Sequence, residues 1–439
     1  MRKMFFLVLA AAALLLMVPA QNAQAQSETP RVEFGVHYSR LRLRDFDATD
    51  HGVGTRLTMN ITDGLSVEGE FNFFPRGRDN LAAPTGFSGV SQRSQGLLIA
   101  FLWPNQKLTA STSQAEVQLS APVRISDDNG DDEDPSVMLA RDGRFYVAWS
   151  SKRQDGVNIY IKSSADGQTW STEELVTIGP GEDYYPSLAQ TRDGTFHIAW
   201  FRLERAQEDI DIWYSRSQDA RTWSIPVQIT DSPKVEWAPS ILADSRDALH
   251  IVWSSGKTGN RELYESRSDD GGLWWAPERQ ITQSAEEDDF PHMIETSEGE
   301  KILAWTRYRQ GSPLRDYLSD TSAEIVISRS WDGLNWSVPE VSSPKDEKRR
   351  QMDLLPFVFT DAASRQLYLS WTSTRSNSRG NILLRNMASE QSVYSLLTTE
   401  RTSDYDAKIA PTKTPGQYLM VWVSDREGTR EIYSRTFHL

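Results

Sequence analysis

The sequence predicts an all-β chain dominated by a six-bladed β-propeller with four-stranded blades. Three observations support this. A tryptophan recurs at Trp149, Trp200, Trp253, Trp305, Trp371 and Trp422, spaced 51, 53, 52, 66 and 51 residues apart. A proline opens the first strand of five units, at Pro135, Pro186, Pro239, Pro291 and Pro356, with Ala407 in the sixth slot. Each unit holds four short apolar or alternating runs, as in PSILA, LHIVW, ELYES and PERQIT within 236–282. A period near fifty with four strands per unit means a propeller rather than a solenoid.

The chain opens with an address. Arg2 and Lys3 precede an unbroken apolar run from Met4 to Val18, followed by Pro19 and the small-residue pattern Ala23-Gln-Ala25. Residues 1–25 therefore read as a secretory signal cleaved before Gln26. The run falls short of the ~20 residues that span a bilayer. The 439 residues include no cysteine, which excludes disulfides, a thiolate site and a lipid-anchored N-terminal cysteine. The net charge of −14 becomes −16 once Arg2 and Lys3 are removed, leaving 45 basic against 61 acidic side chains. That balance argues against nucleic acid or an anionic membrane surface as a general partner.

Residues 26–104 differ in kind from the repeating units. Phe34, Val36 and Tyr38 alternate with Gly35, His37 and Ser39; Val53, Leu57, Met59 and Ile61 alternate with Arg56, Thr58 and Asn60. Leu65, Val67, Phe71 and Phe73 alternate with polar residues, and Gly96 to Trp103 forms a fourth, more continuously apolar run. The stretch 31–103 resembles the first half of a small OmpA-type outer-membrane barrel, with apolar and polar faces alternating along each strand. Such barrels need about eight strands and only four are legible, so the segment pairs with other chains, packs on the propeller or no longer inserts. A soluble amphipathic sheet is the other reading. Polar residues 105–114 form a linker.

From 115 to 439 the repeat runs to the C-terminus. Ser268-Asp269-Asp270-Gly271-Gly272-Leu273-Trp274-Trp275 fits S-x-D-x-G-x-x-W and resembles the Asp box, or BNR repeat, of the sialidase family. The resemblance implies a hairpin turn: Ser268 and Asp270 bond turn amides, Gly272 takes a conformation other residues resist, and Trp275 wedges between strands. Three further turns read as decayed boxes, SSADGQTW with Asp166 and Trp170, SQDARTW ending at Trp223, and SWDGLNW with Asp332 and Trp336. Their acid reads as one position late, and the second has lost its glycine. The repeat is also similar to the periplasmic propeller of the Tol system, as in VWVSDREGTREIYS (421–434). The sixth unit lacks a fourth strand, and 120–126 (SAPVRIS) matches 224–230 (SIPVQIT). The N-terminal strand is therefore expected to complete the last blade and remove the open edges of the ring.

In a propeller blade the 4→1 and 2→3 connections share one face. An acid stands three residues before each proline slot, at Asp132, Asp183, Glu236, Asp288, Asp353 and Asp404. A base stands four residues after the tryptophan in five units, at Arg153, Lys257, Arg309, Arg375 and Arg426, with Glu204 in the second. Ahead of each third strand stands Asn158, Asp211, Glu262, Glu324, Asn381 or Glu431. Repetition favours charge-assisted ties between neighbouring blades. The functional reading is a polar funnel for a glycan, a peptide or an envelope protein. Asymmetry enters in the longest unit, with 308–317 (YRQGSPLRDY), Asp320 and the basic run Lys345 to Arg350, where a long loop on a rigid scaffold suits recognition.

Resemblance to sialidases implies three arginines for the substrate carboxylate, the first in an R-I-P motif, with a Tyr–Glu nucleophile pair and an Asp acid/base. Here Glu133-Asp134-Pro135 stands at the R-I-P slot, and the equivalent residues elsewhere are Tyr184, Trp237, Asp289 and Leu354. No catalytic residue carries over. His197 and His250 share a repeat slot with Tyr146, Ile302, Tyr368 and Leu419 and read as packing rather than metal ligands. The acidic run 127–134 lacks the glycine and the terminal acid of a calcium loop. No metal and no cofactor is expected. The reading is an exported, non-catalytic propeller acting as a binding or scaffold module in the periplasm, at the outer membrane or outside the cell. The alternatives are an exo-sialidase-like glycoside hydrolase with a remodelled site, and a barrel-type outer-membrane protein, associating through 31–103, that displays a propeller.

Overall fold

The computed structural model describes residues 117–439 except 128–129, 154–155, 205–208, 309–321, 345–351, 376–379, 391–392 and 399–401; before 117 it describes the strand residues 32–43, 48–62, 65–73, 94–95 and 103–104. The chain divides into two compact units, 1–111 and 112–439. In the first, Val32–Leu43, Ala48–Thr62 and Leu65–Phe73 form an antiparallel meander, and Ser94–Gln95 and Trp103–Pro104 both pair with its third strand. Most of the fourth expected run, 96–102, lies outside the described residues.

The second unit is the six-bladed propeller, all antiparallel, with no helix among the described residues. Its first strands are Asp131–Leu139, Glu182–Gln190, Glu236–Ala243, Glu287–Glu295, Asp353–Thr360 and Asp404–Pro411, opening blades I to VI in order. The outermost strand of every blade is only two residues long, which leaves little edge for pairing with another chain. Blade VI is completed by Val123–Arg124 against Glu431–His438, as the sequence predicts. The Ile125 amide adds a bond to Ile432 O (2.7 Å), and the Ser126 hydroxyl donates to Glu431 (2.6 Å).

The core divides by seam. Six apolar clusters each straddle one pair of neighbouring blades, and the six repeat tryptophans are fully buried among them. An apolar side chain on a first, second or third strand thus packs on the next blade. This explains why a blade reads as alternating yet nearly all its inner positions are buried.

Every first strand carries a bulge, and the residue before the proline slot is left-handed: Asp134, Tyr185, Ala238, Phe290, Leu355 and Asp406, with φ between 50° and 57°. That conformation is costly for these residues and persists only where neighbours enforce it. The hydroxyl one residue after the tryptophan of the preceding blade does so. Ser150, Ser254, Thr306 and Thr372 accept the amides of Tyr185, Phe290, Leu355 and Asp406 at 3.0–3.2 Å. Phe201 and Val423 occupy the two remaining slots.

The box turns are as expected in chemistry but differ in register. Ser164, Ser217, Ser268 and Ser330 donate to Asp166, Asp219, Asp270 and Asp332 at 2.9–3.1 Å, so the acid follows its serine by the same interval in all four. The acid is therefore not displaced; the turn of blade III contains one extra residue. Ala220 fills the glycine slot of the second box in the same left-handed conformation (φ 57°). Gly272 (φ +83°) is required twice over, because a Cβ there would lie 2.0 Å from the Tyr214 hydroxyl of blade II. Trp170, Trp223, Trp275 and Trp336 are half-buried against the seam clusters.

Candidate functional site

The ring acids and bases meet inside blades, not between them. Asp183, Asp288, Asp353, Asp404, Glu236 and Asp132 are all buried at the start of their strands. Arg375 bonds Asp353 (2.7 Å), Arg426 bonds Asp404 (3.4 Å), and Lys257 lies 3.6 Å from Glu236, which also accepts from Ser255 (2.9 Å). In blades II and IV the base comes two residues after the tryptophan instead. Arg202 pairs with Asp183 (2.6 and 2.9 Å), and Arg307 pairs with Asp288 (2.7 and 3.0 Å). Arg309, the expected base of blade IV, lies outside the described residues. Arg153 turns to Glu173 (2.8 Å) and covers the Tyr160 ring (3.6 Å). The indoles of Trp200, Trp371 and Trp422 donate to Asp183, Asp353 and Asp404. In blades II to VI these pairs lock the first two strands of the blade together.

The third set clips outer strands. The hydroxyls of Thr230, Thr282 and Ser126 donate to Asp211 (3.0 Å), Glu262 (2.6 Å) and Glu431 (2.6 Å). Each hydroxyl also accepts the next strand amide, from Ile212, Leu263 or Ile432. Burial, partly offset by the Thr230 hydroxyl, raises Asp211 to about 6. His197 bonds Tyr214 (2.6 Å) and Thr191 (3.0 Å), and burial pushes its ring down to about 4. Burial also opposes charge on His250, but the carboxylates of Asp244 and Glu265 outweigh it and raise the ring.

Charge ties between blades do exist among the described residues. Arg221 meets Glu174 (3.0 Å) and Arg192 meets Asp247 (2.9 Å) at the turns, and two arginine clamps lie at seams on opposite sides of the ring. Arg261, just before the third strand of blade III, reaches Glu287 (2.5 Å) and Asp289 (2.8 Å) of blade IV. Arg430, in the same slot of blade VI, reaches Asp131 (2.8 Å) and Glu133 (2.5 Å) of blade I. Both seams repeat one pattern, an arginine clasping the two acids that flank a buried ring acid. The signal was present in the sequence: Arg-Glu enters the third strand only in NRELYES and TREIYS, opposite EDD and DDE.

These clamps frame the mouth of the central channel. Its wall is aromatic: Tyr185 and Trp237 flank Phe290 with ring centroids 5.9 and 5.7 Å away, and the Arg261 guanidinium lies 5.5 Å from Trp237 and 5.1 Å from Tyr308. Four acids belong to this ring. Glu133 is held by Arg430 and accepts from Tyr405 (2.7 Å), Asp289 is held by Arg261, and Asp406 is held by Lys408. Asp134 has no ion pair among the described residues; its carboxylate meets the Tyr185 amide (3.3 Å). Burial, then the charges of Glu133 and Asp406, push its carboxyl up to about 8. Below the mouth lies a cavity of about 380 Å³ lined by the first strands, including Tyr185, Phe290 and Lys408.

A Tyr–Glu pair is therefore present, Tyr405 with Glu133, but the arginine set of a sialidase is not assembled among the described residues. The loop 309–321 and the basic run 345–350 lie outside them. No group of three metal-ligating side chains occurs among the described residues, and of the acidic run 127–134, Asp127 is taken by Lys162 (2.5 Å) and Asp131 by Arg430.

No family model and no curated protein matches this sequence. Solved structures do. A protein of unknown function from Dyadobacter fermentans superposes with a TM-score of 0.59 at 15% identity over 74% of this chain and 99% of that one. The GH93 α-L-arabinofuranosidase of Fusarium graminearum, in complex with arabinobiose, gives 0.58 at 14% identity over 73% and 98%. The NanB sialidase of Streptococcus pneumoniae gives 0.51 at 10% identity over 89% and 84%. At these identities the likeness establishes the fold, a six-bladed propeller shared with glycoside hydrolases, and nothing about activity.

Proposed function

We propose that this chain is an exported, non-catalytic propeller that binds a glycan at its channel mouth, as a binding module of the cell envelope. The observation that carries the reading is the state of the charges there. Arg261 and Arg430 each already hold two carboxylates, so neither is left to clamp an anionic sugar. What remains open to a ligand is the aromatic wall of Tyr185, Trp237 and Phe290 with Asp134, the acid of this ring that lacks a base. Ring faces that stack on a sugar beside a few polar groups that fix its orientation are the usual composition of such a pocket. Export is supported by Arg2, Lys3, the apolar run and the Ala23–Ala25 pattern.

Titration calorimetry of the full chain against a panel of neutral and acidic glycans tests the reading. A neutral glycan is expected to bind, with affinity falling at least tenfold in Trp237→Ala and Tyr185→Ala and with no hydrolysis product. Turnover of any glycoside, lost in Asp134→Asn or Glu133→Gln, would replace this reading by the hydrolase one. That second reading rests on Asp134, a carboxyl kept protonated by its surroundings, close to the Lys408-bound carboxylate of Asp406, as an acid/base pair needs.

A further inference from the structure

One layer below the mouth, the residue after each proline slot lines the channel: Ser136, Ser187, Ser240, His292, Phe357 and Lys408. The first four share one job. Ser136, Ser187 and Ser240 accept the amides of Leu188, Ile241 and Met293 from the next blade (3.0, 3.0 and 3.2 Å). His292 Nδ1 accepts the amide of Val358 in the same way (3.2 Å).

Those bonds dictate what the four groups present to the channel. A hydroxyl that has accepted an amide still has its own proton to donate, and none of the three serines finds a protein acceptor among the described residues. Ser136 and Ser240 are 8% and 3% exposed, so a donor left unmet there costs roughly 1–3 kcal/mol. An imidazole that accepts at Nδ1 carries its proton on Nε2. Burial and the nearby Lys408 ammonium push His292 down to about 3, which keeps the ring a neutral donor at ordinary pH. Lys408 gives one of its three N–H bonds to Asp406 and retains the others. Five of the six side chains at this level therefore offer hydrogen, and one carries a positive charge. Glu295, the acid lining the same cavity, stands three residues farther along its strand, about 10 Å away, and is engaged by Lys301 (3.3 Å) and the Ser245 amide (2.6 Å).

We propose that this collar of Ser136, Ser187, Ser240, His292 and Lys408 binds a small anion, a halide or a carboxylate- or phosphate-sized oxyanion, on the propeller axis. The site adjoins the aromatic mouth, the Lys408 ammonium lying 5.4 Å from the Tyr185 ring centroid, but it does not depend on the glycan reading.

The test is a crystal of the full chain soaked in sodium bromide, with anomalous data, paired with thermal unfolding against bromide at constant ionic strength. The expected result is an anomalous peak at this level within about 3.5 Å of Lys408 Nζ and at least one serine Oγ, and a midpoint that climbs with bromide. Lys408→Met strands the Asp406 carboxylate, so the double variant Lys408→Met/Asp406→Asn keeps the charge balanced. It should lose the peak and weaken the bromide response at least tenfold, whereas Lys413→Met, exposed between the first two strands of the same blade, should keep both. A channel that holds water alone, or a bromide response unchanged in the double variant, overturns the proposal.

Discussion

Asp134 shows how far one residue's chemistry depends on its surroundings. Its neighbours Glu133, Asp289 and Asp406 each have a base, whereas burial and two adjacent carboxylates hold Asp134 protonated up to about pH 8. A carboxyl raised above its unfolded value contributes its full stability below about pH 4, and the contribution is lost as pH climbs to about 8. Asp134→Asn mimics the neutral form. Chemical denaturation should find the variant indistinguishable from the parent near pH 3.5 and more stable at pH 8, by a few kcal/mol at most. Equal differences at both pH values would show that folding does not shift the Asp134 carboxyl.

Within the elements, the box turn of blade III combines local and tertiary demands. Ser268 and Asp270 satisfy the turn amides from within the hairpin, while Gly272 is packed under Tyr214 of the blade before it. Gly272→Ala should therefore cost more than left-handed strain alone, about 3 kcal/mol or more once the overlap with Tyr214 is added. Gly299→Ala, at φ +88° with no atom near the added methyl, should cost only the strain, about 1–2 kcal/mol. Thermal unfolding of the two variants separates these contributions. The Ser-x-Asp pattern of the turns was legible because its bonds are local. Their common register was obscured because counting back from the tryptophan puts the acid one position late in the three shorter turns, whereas the serine–acid bond keeps one interval in all four.

For the whole molecule, ring closure is the decisive event. Ile125 on the closing strand is buried in the seam between blades VI and I, whereas Ile225, on the matching stretch of blade II, is 88% exposed. Ile125→Ala is expected to lower stability by about 2–5 kcal/mol, and Ile225→Ala to stay within about 0.5 kcal/mol, both measured by denaturant unfolding. Closure is reinforced by the clamp of Arg430 on Asp131 and Glu133, matched across the ring by Arg261 on Glu287 and Asp289.

By itself the sequence determined blade number, strand order, the closing strand and the structural role of the box residues, because each is written in periodicity and local bonding. Tertiary structure decided which charges meet. Along a strand, residues two and four beyond the tryptophan share a face, so the pattern pointed to the second while Arg202 and Arg307 use the first. The six acids that looked like a funnel lining are buried inside their own blades, while the mouth is built from the bulged residues beside them. A bulge shifts register by one and turns a strand's side chains to a new face. Only the assembled ring brings Asp134, Tyr185, Phe290 and Lys408, from four blades, around one channel.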